Sequence, residues 1–408
     1  MKKTVLFIII LAGLFAQPVK ASLRNPPPAP GRIQAQSMWK FMYTFREEDK
    51  STGVEGVSEA AVRWAGIVFT GMVSDNIFFQ LEFAGGSGIY GDPLYEDAAD
   101  VTAGPFEMGK IGVRRARIVM ELPRKNKARP AVIRLGTFMP KWGIYQDRSV
   151  LDWDFIDLPL MYRHDSFHGM GWQNTGAAVD LYPLSWFQSA GPGPEVVATL
   201  FAINGYFPTG LANSQPPLAN GDREADFGFG GRIAFRSEAG QVYGGFYEEG
   251  FREDRSGDKD PENYRCRAWL AGAEYREGRW WALIELSALE REDYQLEKDG
   301  GLADKESLSV HVSGGHEIAR HTELLVRWDW LDPNTSDSGQ TLDNSKNDRT
   351  TAWTLGINRQ LSPDIELMMN YVMLFEEGKR ADVSAGRTGG VYRDRDNNYF
   401  RLQLQVRL

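Results

Sequence analysis

Apolar and polar side chains alternate without a fault over the last ten residues, Tyr399 to Leu408. A strand has a side-chain period of two, so Phe400, Leu402, Leu404, Val406 and Leu408 share one face, and Arg401, Gln403, Gln405 and Arg407 the other. The same alternation recurs upstream. Trp39, Phe41, Tyr43 and Phe45 stand opposite Lys40 and Thr44; Phe79, Leu81 and Phe83 oppose Gln80 and Glu82; Leu324, Val326, Trp328 and Trp330 oppose Arg327 and Asp329. About sixteen such strands are predicted, near 32–46, 57–72, 76–85, 107–122, 130–140, 173–183, 194–206, 225–236, 241–250, 263–276, 278–290, 307–317, 321–331, 350–360, 364–376 and 398–408. Most are longer than the strands of soluble domains, and long enough to cross a bilayer when tilted.

The links between these stretches alternate short and long. Short ones are 73–75, 237–240, the turn around Glu277 and Gly278, 318–320 and 361–363; long ones are 47–56, 86–106, 141–172, 207–224, 251–262, 291–306, 332–349 and 377–397. Two further links, 123–129 and 184–193, are longer than ideal for the short set. With both termini on one side, the short turns fall on that side and the long loops on the other, which is the arrangement of outer-membrane barrels. A soluble sandwich has no reason to sort its loops by length. The expected fold is therefore all-β: a closed transmembrane antiparallel barrel with an even number of strands.

Residues 1–21 read as a secretory signal, with Lys2 and Lys3, an apolar run from Val5 to Phe15 too short to span a bilayer, and a small-x-small site at Val19-Lys20-Ala21. Residues 22–31 read as a proline-rich extended leader in the periplasm, and 32–408 as the barrel. No later run of 18 apolar residues exists, so a membrane crossing falls to closed strands. The negative mean hydropathy suits such a barrel, because water-facing and lipid-facing residues average out along each strand. Twelve Trp and 12% aromatics supply interfacial girdles. The lone Cys266 excludes an internal disulfide and reads as a small apolar side chain. Net charge is −9, and loss of the signal removes three lysines, which argues against a nucleic-acid partner.

Two groups of motifs resemble the phosphate-selective porin O and P family. Gly136-Thr137-Phe138-Met139-Pro140-Lys141-Trp142-Gly143 is similar to its G-x-F-x-x-P-x-G-like strand end, and Asp154-Phe155-Ile156-Asp157-Leu158-Pro159-Leu160 to its third-loop run. Val113-Arg114-Arg115-Ala116-Arg117, Trp328 to Pro333, Leu355 to Asn358, Met369-Asn370-Tyr371 and the final strand follow in the family's order. Leu158 stands where the family usually carries a basic residue, and the chain ends in Leu408 rather than an aromatic. The resemblance implies a 16-stranded barrel, usually a homotrimer, with a long third loop in the lumen, passing small anions or other small hydrophilic solutes.

A lipid-facing Arg costs about 2–4 kcal/mol at the midplane, so basic residues on the polar parity are expected to face an enclosed water column. These are Lys40, Arg63, Arg115, Arg117, Arg134, Arg232, Arg236, Arg265, Arg267, Arg327 and Arg401, against the acids Glu82, Glu121, Glu285 and Asp329. The balance reads as positive, and spaced weak sites of one sign pass anions without trapping them. Lys40, Arg115, Arg117, Arg134, Arg232, Arg236, Arg327 and Arg401, with Lys141, Arg148 and Arg163 of the third loop, form the candidate lining of the channel and its constriction. That loop also carries Asp147, Asp152, Asp154, Asp157, His164, Asp165 and His168, so its charges either ring the narrowing or lie solvated on a loop packed to the wall.

Other long loops are acidic, as at Asp92, Glu96, Asp97 and Asp100, and ordinary solvation or divalent bridging to lipopolysaccharide both suit them. His316 and His321 lack a metal-protease spacing, and neither a nucleophile elbow nor a phosphate loop occurs. Neither an enzyme nor a cofactor is expected. The expectation is an outer-membrane diffusion channel of a Gram-negative-type cell, leaning toward anions. Two rivals remain open: a sugar channel with a stacking track of Trp142, Trp153 and Trp172, and a docking barrel around a partner protein.

Overall fold

The computed structural model describes residues 30–46, 57–85, 112–122, 130–138, 140–147, 154–162, 174–183, 195–204, 223–253, 262–296, 302–332, 335, 349–377 and 398–408. The expected signal and most of the leader lie outside them, as do the links 123–129 and 184–193.

Sixteen antiparallel strands close into one barrel. They are β1 (Ile33–Arg46), β2 (Val57–Ser74), β3 (Ile77–Gly85), β4 (Gly112–Glu121), β5 (Ala131–Phe138), β6 (Asn174–Leu181), β7 (Glu195–Ile203) and β8 (Arg223–Ser237). The second half holds β9 (Gly240–Glu253), β10 (Glu262–Glu277), β11 (Trp280–Leu296), β12 (Leu302–Ala319), β13 (Thr322–Asp332), β14 (Arg349–Ser362), β15 (Ile365–Glu377) and β16 (Tyr399–Arg407). Each strand pairs with its sequence neighbours, and β16 closes the cylinder on β1 from Met38↔Arg407 to Arg46↔Tyr399. Closure leaves no unpaired edge, which a lipid-exposed sheet requires.

Alternation places the side chains as predicted on most strands. Arg401, Gln403 and Gln405 are buried inside, while Trp39, Phe41, Tyr43 and Phe45 are exposed outside, with Trp39 and Phe41 stacked at 6.4 Å. Tight two-residue turns join β8 to β9 and β10 to β11, where Gly278 adopts φ +59°. Between β12 and β13 the turn falls on Arg320 and His321, whose φ is +63°. The expected loop 291–306 is shorter than predicted, because β11 runs on to Leu296 and β12 starts at Leu302. Ladder hydrogen bonds do not need hydrophobic alternation, so the hairpin continues through Glu290 and Arg291.

Two expected inward residues face out. Arg265 and Arg267 share the outer face of β10 with Trp269, and Cys266, Ala268 and Leu270 are the buried inner residues. The reason is that the lumen opposite β10 is filled by an apolar segment, so this strand turns its apolar face inward. Arg63 falls at the β1–β2 irregularity, between the pairs Lys40↔Trp64 and Phe41↔Val62.

Inward rings on β9 and β11 lie across inward glycines of the adjacent strand. A Cβ on Gly272 would meet the Tyr243 ring at 2.4 Å, and one on Gly315 the Trp281 ring at 2.2 Å. Each glycine makes the groove in which its cross-strand partner lies, and these rings form the floor on which the lumen segment packs.

Candidate functional site

The chain leaves β5 at Phe138, turns at Pro140 with a 2.9 Å bond from the Trp142 N–H to the Pro140 carbonyl, and enters the lumen. It carries one helical turn, α1 (Ile144–Asp147), and a 3-10 turn at Leu160–Tyr162. This is the long third loop, inside the barrel as the family resemblance implied. Gly136, at φ +114°, precedes the departure; a side chain there would meet the Ala116 carbonyl of β4 at 2.3 Å.

Three clamps hold the loop. At its start, Lys141 Nζ lies 3.2 Å from Asp180 Oδ2 on β6, and the same carboxylate binds Arg134 and accepts from Thr199 Oγ1 at 2.8 Å. Trp142 lies on Gly245 of β9 and is fully buried, so it offers no ring to a solute.

The second clamp is Glu285 of β11. Its fully buried carboxylate accepts from the Ile144 N–H at 2.9 Å, from Tyr243 Oη at 2.5 Å, and from Tyr162 Oη at 2.9 and 2.8 Å. His311 Nδ1 of β12 lies 3.3 Å away, and Tyr145 packs between Tyr162 and His311 at 5.4 and 5.7 Å. Burial first, then the Glu285 charge, raises the Tyr162 phenol well above its ordinary value, so it stays a donor.

The third clamp grips 154–158. Asp157 pairs with Arg401 of β16, and Tyr399 Oη lies 3.4 Å from it. Arg327 of β13 donates to the Asp157 carbonyl at 2.6 Å and the Leu158 carbonyl at 3.4 Å, and its Nε binds Asp329 at 2.7 Å. Asn358 donates to the Asp154 carbonyl at 2.7 Å. Arg327 also stacks over Phe155 at 4.7 Å, and Leu160 sits among Leu331, Ala352 and Leu374.

The predicted basic residues thus divide by role. Lys40, Arg134, Arg232, Arg327 and Arg401 are buried, and Arg134, Arg327 and Arg401 serve as struts. Arg232 stacks 4.0 Å over Tyr243 and reaches Gln241 at 3.3 Å. Arg236 reaches the same Gln241 at 3.2 Å, beside a cleft of about 310 Å³ that also involves Glu274 and Arg276. Arg115 and Arg117 line the wall on β4, next to Glu82 at 3.5 Å and Gln80 at 2.7 Å respectively. Arg148 and Arg163 lie outside the described residues.

Sequence reasoning undercounted the inward acids. Asp180, Glu249, Glu274, Glu323 and Glu366 join the four expected, which removes the simple excess of positive charge. Parity alone would have found Asp180, because Ala178, Asp180 and Tyr182 are buried on one face. What distinguishes the signs is reach. Arg115 is 20% exposed against 4% for Glu82, and Lys141 21% against 2% for Asp180. Arg276 is 47% exposed against 12% for Asp154 and 10% for Glu274. In each pair the short carboxylate is shielded and the long cation extends into water.

No protein-family model and no curated protein matches the chain. Among solved structures it is similar to the anion-selective porin from Comamonas acidovorans, with a TM-score of 0.59 and 13% identity over 92% of this chain and 99% of that one. It is similar also to Salmonella typhi OmpF in complex with daunomycin (TM-score 0.56, 11% identity, 92% and 97% covered). The trimer form of in-vitro folded OmpT, an outer-membrane protein of Vibrio cholerae, aligns with a TM-score of 0.53 at 10% identity over 93% and 100%. With a closed ring of sixteen strands and a loop clamped across its bore, the chain has the fold of an outer-membrane porin barrel.

Proposed function

We propose that the chain is a non-enzymatic outer-membrane porin of a Gram-negative-type cell, assembled as a homotrimer, through which small hydrophilic solutes diffuse passively with small anions such as phosphate favoured. The observation that carries the anion preference is the reach of the charges: water meets the Arg115, Lys141 and Arg276 tips before it meets the carboxylates at their bases. A passing anion gains weak attraction at several cations in succession, each held by a neighbour that keeps it from collapsing onto the solute. Conduction needs such shallow, repeated binding. The likeness to an anion-selective porin agrees with this reading.

Planar-bilayer recordings under a KCl gradient test it. Wild-type channels are expected to show a reversal potential of the anion-preferring sign, and Arg115→Gln with Arg117→Gln to bring it toward zero. An unchanged potential in the double variant defeats the basic-wall mechanism, and a silent wild type defeats the channel.

A further inference from the structure

The cleft beside Arg236 lies at the short-turn end of the barrel, where the β8–β9 hairpin contributes Ser237 and Glu238 and the lumen loop contributes Ile144. Gln241 of β9 pairs in register with Arg236 of β8 and with Glu274 of β10, so three strands set polar groups side by side. Gln241 Oε1 accepts from Arg236 Nε at 3.2 Å, and Gln241 Nε2 donates to Glu274 Oε2 at 3.1 Å. Arg276 Nε in turn donates to Glu274 Oε1 at 3.0 Å. Each planar group is held by the next, so the row is in place before a solute arrives.

Arg276 has the most left to offer. Its guanidinium lies 5.2 Å over the Trp281 ring, and Nε and Nη2 each give one N–H to a carboxylate, Glu274 at 3.0 Å and Asp154 at 3.4 Å. Among the described residues that leaves three of its five N–H groups, two of them on Nη1, on a side chain 47% exposed. A fixed guanidinium with its outer end in water matches the two oxygens of a carboxylate. Gln241 keeps its second amide N–H, and the Ser237 hydroxyl, which donates to the Gly240 carbonyl at 3.3 Å, keeps acceptor lone pairs. Glu238 lines the same cleft and adds an acceptor. Hydroxyls both donate and accept, so this mixed set suits a solute carrying several of them.

We propose that the cleft is a binding subsite for a polyhydroxylated monocarboxylate, the chemical class of the sugar acids. Arg276 takes the carboxylate, Gln241, Ser237 and Glu238 take the hydroxyls, and Ile144 meets the carbon skeleton. The volume of about 310 Å³ accommodates a six-carbon solute. Arg236 and Arg276 against Glu238 and Glu274 leave this lining without net charge, so nothing there offsets the second charge of a phosphate group. The subsite rests on the anion-channel reading and names a solute class for it.

Block of KCl current through the full-length chain in planar bilayers tests this, with D-galacturonate, acetate and D-galactose added in turn to both sides. Acetate offers the carboxylate alone and galactose the hydroxyls alone. Galacturonate is expected to half-block wild type at a concentration roughly tenfold below either, the effect of one hydrogen-bonded charged contact. Arg276→Gln is expected to bring galacturonate to the galactose level, and Gln241→Leu to move it several-fold toward the acetate level. Equal block by galacturonate and either control in wild type overturns the subsite, as does inorganic phosphate blocking as strongly as galacturonate. Galacturonate block unchanged in both variants overturns it too. If neither variant inserts, the comparison of probes on wild type decides. A conducting wild type that does not distinguish the probes refutes the cleft alone, and a silent wild type refutes the channel on which it rests.

Discussion

Tyr162 of the lumen loop donates to both oxygens of Glu285, at 2.9 and 2.8 Å, across 123 residues of chain. The same carboxylate takes the Ile144 N–H and the Tyr243 hydroxyl, so one wall residue fixes both ends of the segment that narrows the bore. Replacing Glu285 by Leu strands these donors in a buried site, at about 1–3 kcal/mol for each one left unsatisfied. The barrel ladder does not depend on them. Glu285→Leu is expected to keep the folded band on gels, to admit larger sugars in liposome-swelling assays, and to raise open-channel current noise. A size cut-off identical to wild type removes Glu285 from control of the constriction.

Arg327 is the second fixed point, buried and committed to Asp329, to two loop carbonyls and to the Phe155 face. Arg327→Met leaves the Asp329 charge buried without that guanidinium, a change that typically costs about 3–5 kcal/mol. The double variant Arg327→Met, Asp329→Leu removes both charges and is expected to recover most of the loss. Denaturant unfolding followed by tryptophan fluorescence reads this directly. Additive losses in the double variant would show that the pair is not the source of the stability.

Much of this architecture is legible in alternation. β16 and β1 read correctly because one face is apolar and exposed on the outside while the other is polar and turned to the lumen, where the loop meets β16 through a polar partner, Asp157. β10 misleads for a physical reason: the loop supplies an apolar lumen partner, so Cys266, Ala268 and Leu270 turn inward and Arg265 and Arg267 outward. The rule of polar inside and apolar outside fails wherever the bore is filled. The clamps are illegible for another reason. Glu285 and Tyr162, or Asp157 and Arg401, are joined only by barrel closure and loop path, which local pattern does not encode. The third loop's entry into the lumen was expected from family resemblance; which wall residues receive it was not.

The glycine grooves make a sharper structural test. A methyl at Gly272 would sit 2.4 Å from the Tyr243 ring, which carries one of the hydroxyls on Glu285, whereas a methyl at Gly244 has its nearest neighbour at 3.6 Å, an ordinary contact. Gly272→Ala is therefore expected to lower stability by about 1–3 kcal/mol through overpacking and to disturb the constriction. Gly244→Ala serves as the tolerated control. Refolding yield by heat-modifiable mobility and sugar permeation measure the two effects, and equal behaviour of the two variants would show that the ring moves aside without cost.

The proposed anion preference can be moved in either direction at one pair. Glu82 and Arg115 lie 3.5 Å apart, the carboxylate at the wall and the guanidinium reaching into water. Arg115→Gln removes the outer charge and leaves the inner one, so the anion-to-cation permeability ratio is expected to fall. Glu82→Gln leaves the cation uncompensated and is expected to raise it. A unit charge acting at about 4 Å in water is worth about 1 kcal/mol, which bounds either change at roughly fivefold. Both changes shrink as salt rises, because the screening length drops from about 10 Å at 0.1 M to about 3 Å at 1 M. Reversal potentials of the two variants, taken at both salt concentrations, check the sign and the screening together. Shifts in the same direction for both variants would mean that the pair acts through loop or wall geometry rather than through its charges.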